Sequence, residues 1–587
     1  MGLRFKIPLG AQWVGWIVFI GAIFTWFLWV DVSLWVHHNQ PVYYHRSFVD
    51  LFSFPGHPVR SLAAMVMQGI SGCWDGAVLM SLLMVAWGGA IFFIFRELRV
   101  KPWFSYLVVV SVVPIVSAHG KYHYAAELTF QYLFAAWFTA LCLFFVRRWH
   151  GRCFGLIILV FSLLVYSFAG HPGLFLFVVL LSVWLVASHH IQRLVWMVLP
   201  LLLPYMITHL LPHLTIYEAY WGNYMVCVID SFVDVPWSIK LYPLFLLVLV
   251  AVLLGFNTQE RLKPIVELLV FVMLFVLVGW FSRSPKQKLS VRIDKLAYEK
   301  RWDELLKVVD QFGDVRSRDV QFQVNRALYH KGLLLEGLFY YPQYYGAGGL
   351  FLENETKGDI AMSASDLYFD MSFVSAARHW ANEAFTDYGP RPRIVRRLIE
   401  CYKLEGEPAL VKKYESLLRL SPFSLLDDSP TYEQAQVGER SVLSSRNEVL
   451  RFHQFENQFV ATNHPLTNLY YVVNSEPDHR MGVEYLVACH LLSGNLEELV
   501  KQLGRLKAVG YSRLPEAVQE AVLVYRQMNP GGAVDLCGFV VEKKVVERFK
   551  AFNALAAGGF RKDVASMKRF NGYKGGYLFY LTFYKPK

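Results

Sequence analysis

Residues 262–281, LKPIVELLVFVMLFVLVGWF, are apolar apart from Lys263 and Glu267. A helix needs about 20 such residues to cross the roughly 30 Å hydrocarbon core of a bilayer. Almost every segment before this run is similarly apolar, and none after Arg283 matches it. The stretch therefore separates a membrane half, residues 1–282, from a soluble half. The direction in which it crosses decides the compartment of the soluble half.

Of the 587 residues, 55% are hydrophobic and 16% aromatic, as in membrane proteins. The net charge of +11 is spread along the chain. Residues 1–282 carry 15 Lys and Arg against 10 Asp and Glu, and residues 283–587 carry 42 against 36. Neither half has the concentrated basic face of a nucleic-acid binder. Seven cysteines, at positions 73, 142, 153, 227, 401, 489 and 537, lack CxxC spacing. They give no disulfide framework or zinc site.

The start, MGLRFK followed by an apolar run at 13–30, has the charge and core of a signal peptide. It is long, has no small-residue cleavage site and is followed by more spans, so it reads as a first transmembrane helix. Further spans are expected at residues 74–95, 103–118, 125–146, 154–169, 172–188, 191–211, 241–256 and 262–281, nine in all. Loop charges set the orientation. With the N-terminus in the cytoplasm, eleven Lys and Arg fall on that side (positions 4, 6, 96, 99, 101, 147, 148, 152, 193, 261 and 263). Four fall opposite: Arg46, Arg60, Lys121 and Lys240. Nine spans then place the soluble half in the periplasm of a Gram-negative host.

The same sorting puts nine of the membrane half's twelve histidines on the outer side: His37, His38, His45, His57, His119, His123, His171, His209 and His213. Ionisable groups near a membrane core are costly unless they line a wet cavity or a site. Two readings stand: ordinary polar interface, or a polar cavity opening outward. The loop at 31–72 begins with Asp31 and includes residues 61–70, too short to span and suited to an interfacial helix. The loop at 212–240 is rich in Tyr and Trp, residues that anchor membrane interfaces. His119, His123 and Glu127 would share one face if their helix starts early, which makes a divalent metal site conceivable. No other cofactor is indicated.

The soluble half, residues 283–542, shows apolar residues at three-and-four spacing. Helical hairpins of the tetratricopeptide type are expected at 296–309, 376–420 and 479–506, the last turning at Gly494-Asn495. Stacked hairpins would form an α-solenoid with a concave face. Residues 340–366, containing YYPQYYGAGG, read as a long loop. The segment 543–587 holds eleven Lys and Arg against Glu547 and Asp563, and ends in aromatics. It reads as a solvated cap closing in a short strand, GYLFYLTFY, or as a tail returning to anionic headgroups. The fold class is all-α: a polytopic helical membrane domain followed by a tetratricopeptide-like solenoid.

FSFPGHP at 52–58, GHPG at 170–173 and the distal hairpins together resemble an uncharacterised membrane-protein family of Bacteroidota with a domain of unknown function over nearly its full length. More distantly, the architecture resembles the GT-C glycosyltransferases, which use lipid-phosphate-linked sugars. The shared features are many spans, a long first outer loop opening on an acid, and an outer C-terminal domain. That likeness implies a catalytic acid at Asp31 or Asp50. It also implies a polyprenyl-phosphate carrier as the membrane-lipid partner. The chain departs from the pattern in span number and in lacking an adjacent Asp-Glu pair.

In such a mechanism His37, Arg46, Arg60, His119, Lys121, His123 and Glu127 would bind the lipid phosphate or substrate. Asp31 would take the acceptor's proton. The repeat domain would bind an acceptor or protein partner. One alternative is a non-enzymatic scaffold presenting the repeats for envelope assembly or secretion. A third possibility is a transporter, whose sign would be paired broken helices and mid-membrane acids.

Overall fold

The structure, a computed structural model, describes residues 9–39, 51–97, 110–124, 126–148, 153–188, 190–211, 213–220, 237–255, 264–313, 315–352, 358–419, 464–531, 534–559 and 564–585. Among these residues the protein is helical, with no strand. It divides into two compact units, Met1–Val291 with Leu417–Asp427, and Arg292–Ser416 with Asp428–Lys587.

In the first unit four helices are long and apolar enough to cross a membrane: Cys73–Glu97, Glu127–Arg148, Phe154–Ala187 and Ile191–Leu210. The bent pair Ile17–Val30 and Val32–Asn39, turned by 50°, makes a fifth if counted as one span. Of the nine expected spans, four or five are matched by such helices among the described residues. Of the expected span at 103–118, the described end is only the six-residue helix Val113–Ala118, with a proline in its first turn. Pro114 has no N–H to give to a preceding turn, and its ring clashes with the carbonyl four residues back. The expected spans at 154–169 and 172–188 run as one 34-residue element, broken at Gly170, whose φ is 69° and ψ −167°. Tyr242–Gly255 is a helix of 14 residues, and the dividing stretch forms the 19-residue helix Pro264–Ser282.

The helix Glu127–Arg148 is central, packing on Phe154–Ala187 and on Cys73–Glu97. The short helix His57–Gln68 lies against the first two. Its 12 residues extend about 18 Å, too short to span. Deep in this unit Trp87 Nε1 donates to the Tyr242 hydroxyl at 2.8 Å, so both buried polar tips are satisfied.

In the second unit consecutive helices pack on one another, notably Gly358–Asp370 on Val374–Tyr388 and the latter on Pro392–Glu405. The stretch expected as a hairpin at 376–420 holds three helices, the third being Pro408–Arg419. At the turn after Arg480–Ser493, Gly494 takes φ 70° and the Asn495 side chain caps the next helix by accepting from Glu498 N. The expected loop 340–366 is replaced in part by the helix Gly358–Asp370, and Leu338–Tyr340 and Gly346–Gly349 form 3-10 turns. Buried amides pin those turns: Gln343 Nε2 donates to the Asn325 side chain at 3.0 Å and Asn325 Nδ2 to Gly349 O at 3.0 Å.

The C-terminal strand is also corrected. Residues 577–584 are helical, and Tyr577, Leu578, Phe579 and Tyr580 are buried. Leu578 N donates to the buried Glu520 carboxylate at 3.2 Å, and Tyr580 OH to Leu492 O at 2.6 Å. The aromatic content of GYLFYLTFY suggests a strand, but buried tertiary contacts override that propensity.

Candidate functional site

The first helix ends where its own backbone reverses hand. Asp31 takes φ 60° between Leu9–Val30 and Val32–Asn39, a conformation that Asp tolerates better than most side chains. Its carboxylate accepts from Ser33 Oγ at 2.7 Å. Residues 116–124 are bonded along this bend. Trp26 Nε1 donates to Val116 O at 3.0 Å, Trp35 Nε1 to Tyr124 O at 2.8 Å, and Asn39 Nδ2 to Tyr122 O at 2.7 Å. The Tyr122 hydroxyl donates to Val30 O. Burial first, then the nearby Asp31 charge, raise the Tyr122 phenol above its ordinary range, so it stays a donor.

The chain just past Pro264–Ser282 reaches the same place. Lys288 donates to Trp29 O and lies over the Trp29 ring, as does Arg283. Lys121 Nζ lies 3.4 Å from Ser284 Oγ. A Cβ at Gly120 would sit 2.8 Å from Ser282 O, so glycine permits this approach.

His119 is buried, bonded to Thr129 Oγ1 at 3.1 Å and ringed by Phe27, Trp35 and Tyr124. His123 Nδ1 pairs with His38 Nε2 at 2.9 Å. His37 is half-buried on Val32–Asn39. Glu127 turns elsewhere, binding Arg60 Nε at 2.9 Å, with both side chains about a quarter exposed. At about 100° per residue, Glu127 and Gln131 share one face of their helix and Thr129 lies on the other. The sequence-derived candidates therefore form two groups, one on each side of that helix. Asp50 and Arg46 lie outside the described residues. The three-ligand set His119, His123 and Glu127 is not assembled. Among the described residues no three His, Cys, Asp or Glu side chains are placed to hold a metal ion.

Around Arg60 the structure brings together residues that sequence reasoning did not connect. Residues 52–58, FSFPGHP, and 166–172, YSFAGHP, are two versions of one heptad. They touch: Gly56 N donates to Ser167 O at 3.0 Å, and the Phe52 and Phe168 rings meet edge to face at 5.4 Å. Both glycines have positive φ, 88° at Gly56 and 69° at Gly170. A Cβ at Gly56 would come within 3.1 Å of Gly170 Cα and 2.8 Å of Gln131 Nε2. Ring nitrogens of His57 and His171 are buried here. His213 Nε2 bonds Ser53 O at 3.0 Å. The signal that could have found this group is the repeated heptad itself.

Residues 7–584 match the family described as Family of unknown function (DUF6057). The chain belongs to this family. No curated protein and no solved structure matches it. Membership in the family carries no activity, so the chemistry rests on the two groups at either side of Glu127–Arg148.

Proposed function

We propose that this protein is a GT-C-like glycosyltransferase of the bacterial inner membrane, taking a sugar from a polyprenyl-phosphate carrier at the outer face. The observation that carries the reading is the Asp31 carboxylate at a left-handed break ending the first membrane helix, with Lys288 docked two residues away at the Trp29 carbonyl. Non-glycine residues in this conformation concentrate at functional sites. In the reaction Asp31 accepts the proton of an acceptor hydroxyl as that oxygen bonds the anomeric carbon. The bond from that carbon to the phosphate oxygen breaks, and the lipid phosphate leaves with the electron pair. Cations near the leaving group stabilise its charge.

In this reading the N-terminus is cytoplasmic and the second unit periplasmic. Its packed helix pairs are tetratricopeptide-like repeats that hold the acceptor. Asp31→Asn keeps the shape and the Ser33 contact but removes the base. Transfer from polyprenyl-phosphate sugars by the purified variant should fall at least a hundredfold, in line with the usual contribution of a general base of about 10²–10⁴. Its elution and melting profiles should match the parent. Transfer at the parental rate would remove Asp31 from the mechanism.

A transporter reading is favoured by one observation, the helix breaks at Asp31 and Gly170. Discontinuous membrane helices line substrate sites in many secondary transporters. Solute accumulation in proteoliposomes without a covalent product would select it over the transferase.

A further inference from the structure

We infer that the tyrosine-rich turn at 338–349 of the second unit is a binding platform for a neutral oligosaccharide of equatorial hexoses, with Tyr340 and Tyr345 as its stacking rings and Asp310 as an acceptor at its edge. The inference deepens the transferase reading by naming the chemical class of the acceptor, and rests on that reading only for the acceptor's role.

The run YYPQYY at 340–345 places four tyrosines in six residues, and the structure fixes their backbone from one side. One face of the helix Arg318–His330 does this, through residues three and seven positions apart. Arg318 Nε donates to Gly348 O at 2.7 Å and its Nη2 to Phe351 O at 2.9 Å. Gln321 Oε1 accepts from Tyr345 N at 3.2 Å, and Asn325 Nδ2 donates to Gly349 O at 3.0 Å. Gln343 Nε2 ties the turn to itself by donating to Leu338 O at 2.8 Å. The inward rings add to the hold: Phe339 packs on Tyr577 at 5.4 Å and on Tyr580 at 5.0 Å, and Tyr344 meets Tyr584 edge to face at 5.2 Å. A turn anchored in this way has little freedom left to lose when a ligand binds.

The outward rings remain open: Tyr340 is 76% exposed and Tyr345 39%. Tyrosine offers a wide, stiff contact surface with a polar tip at low entropy cost. A hexose with equatorial hydroxyls carries its C–H bonds on its two faces and its hydroxyls round the rim. The faces cover an aromatic ring through many small dispersion contacts, and the rim needs groups that accept as well as donate. Asp310 supplies the acceptor, since it is exposed and its carboxylate is fixed beside the turn by the Tyr341 hydroxyl, which donates to it. A proline-rich peptide is another ligand for aromatic surfaces. It has no N–H at its prolines and offers carbonyl oxygens, so the carboxylate would have nothing to accept. An acidic sugar would meet the Asp310 charge. Five residues of chain separate the two exposed rings, at most about 18 Å, so one short oligosaccharide can lie across both.

The test is isothermal titration of the purified full-length protein in an amine-oxide detergent, which has no sugar head of its own. The probes are cellotetraose, glucose and decaproline. Cellotetraose should bind at millimolar concentration, glucose about tenfold more weakly because it covers one ring, and decaproline not at all. Tyr340→Leu and Tyr345→Leu keep an apolar side chain but lose the flat ring. Each should weaken cellotetraose about tenfold, the upper end of one aromatic contact, while Tyr340→Phe should stay within about twofold of the parent. Asp310→Ala should weaken it about tenfold. Both rings are exposed, so melting profiles of the leucine variants should match the parent's. Absence of cellotetraose binding, equal binding of glucose or decaproline, or parental affinity with both tyrosines changed to leucine would overturn the platform. Transfer from polyprenyl-phosphate sugars to cellotetraose at the parental rate by that double variant also overturns it, and leaves the transferase reading standing. Cellotetraose binding that depends on the two tyrosines, in a protein that transfers no sugar, supports the platform and sinks the transferase reading instead.

Discussion

Gly56 and Gly170 each satisfy two demands at once: a positive φ, and the absence of a side chain where another backbone passes. An L side chain in the left-handed region costs about 1–2 kcal/mol before any overlap is counted. Gly170→Ala and Gly56→Ala should therefore each lower the melting temperature of the solubilised protein by several degrees. Gly21→Ala, in an exposed helical stretch with nothing within 4 Å of the added methyl, should be neutral or slightly stabilising. If all three behave alike, close backbone approach is not what the two heptad glycines provide. Asp31 was legible as an acid at the end of a span; its backbone conformation was not, because φ there is set by the direction in which the next helix leaves. The histidines could be sorted by side but not paired. His38 meets His123, and His57 lies beside the turn that carries His171, through contacts spanning 85 and 114 residues that no local pattern encodes.

Three helices of the second unit each carry an (i, i+4) pair of ionisable side chains that turns inward instead of to solvent. Arg326 and His330 lie on Arg318–His330, Asp366 and Asp370 on Gly358–Asp370, and Arg393 and Arg397 on Pro392–Glu405. Arg326 and His330 bind Asp370, while Arg393 links Asp366 at 2.6 Å to Asp294 at 2.7 Å, and Arg397 binds Asp366 at 2.8 Å. The network orients the helices but is costly to break. Arg393→Met leaves Asp366 and Asp294 short of a cation and should destabilise this unit by about 3–5 kcal/mol. The neighbouring guanidiniums outweigh burial and hold both Asp366 and Asp370 below the ordinary carboxylate range. With folded values depressed, the stabilisation is complete above about pH 4, the usual unfolded Asp value. It is lost as pH falls through the lower folded values. Hydrogen exchange followed from pH 6 to pH 3 should show these helices opening in acid first; protection that does not change would refute the linkage. Three-and-four spacing made the helices readable, whereas their burial was not, since a charged residue at helical spacing looks the same on either face. The C-terminal segment failed for a related reason. Its aromatic run has strand propensity, whereas the Glu520 carboxylate that accepts from Leu578 N meets the start of the helix from a distant part of the chain.

For the whole molecule, the chain divides into two compact units at Val291 and Arg292, ten residues past the twenty-residue apolar run. Short apolar windows also carry breaks that hydropathy does not show, as at Gly170 inside Phe154–Ala187. An orientation can still be proposed from the segments that meet at one end of the unit. The end of the first helix at Trp29 to Asp31, the turn at 119–124 and the chain at 283–288 are bonded to one another, so they lie at one end of the membrane unit. A chain that returns to the same end has crossed an even number of times. Between residues 124 and 283, Glu127–Arg148, Phe154–Ala187 and Ile191–Leu210 are long and apolar enough to cross; the proposed topology takes the two parts of Phe154–Ala187 as separate crossings and adds Tyr242–Gly255 and Pro264–Ser282, which makes six. With one crossing by the first helix and even numbers thereafter, the proposed topology has residue 283 opposite the N-terminus. The eleven-to-four excess of Lys and Arg, sorted over the nine expected spans, favours the proposed cytoplasmic N-terminus with the second unit outside. Alkaline phosphatase joined after Lys587 should be active, and a fluorescent protein that matures only in the cytoplasm should stay dark there. The reverse result would invert the membrane unit, move Asp31 to the cytoplasmic face and remove the outer-face transferase. A reporter placed in the turn at 119–124 must agree with the one after Lys587. Disagreement between them would mean that the even crossing count, and not the charge bias, is the faulty step.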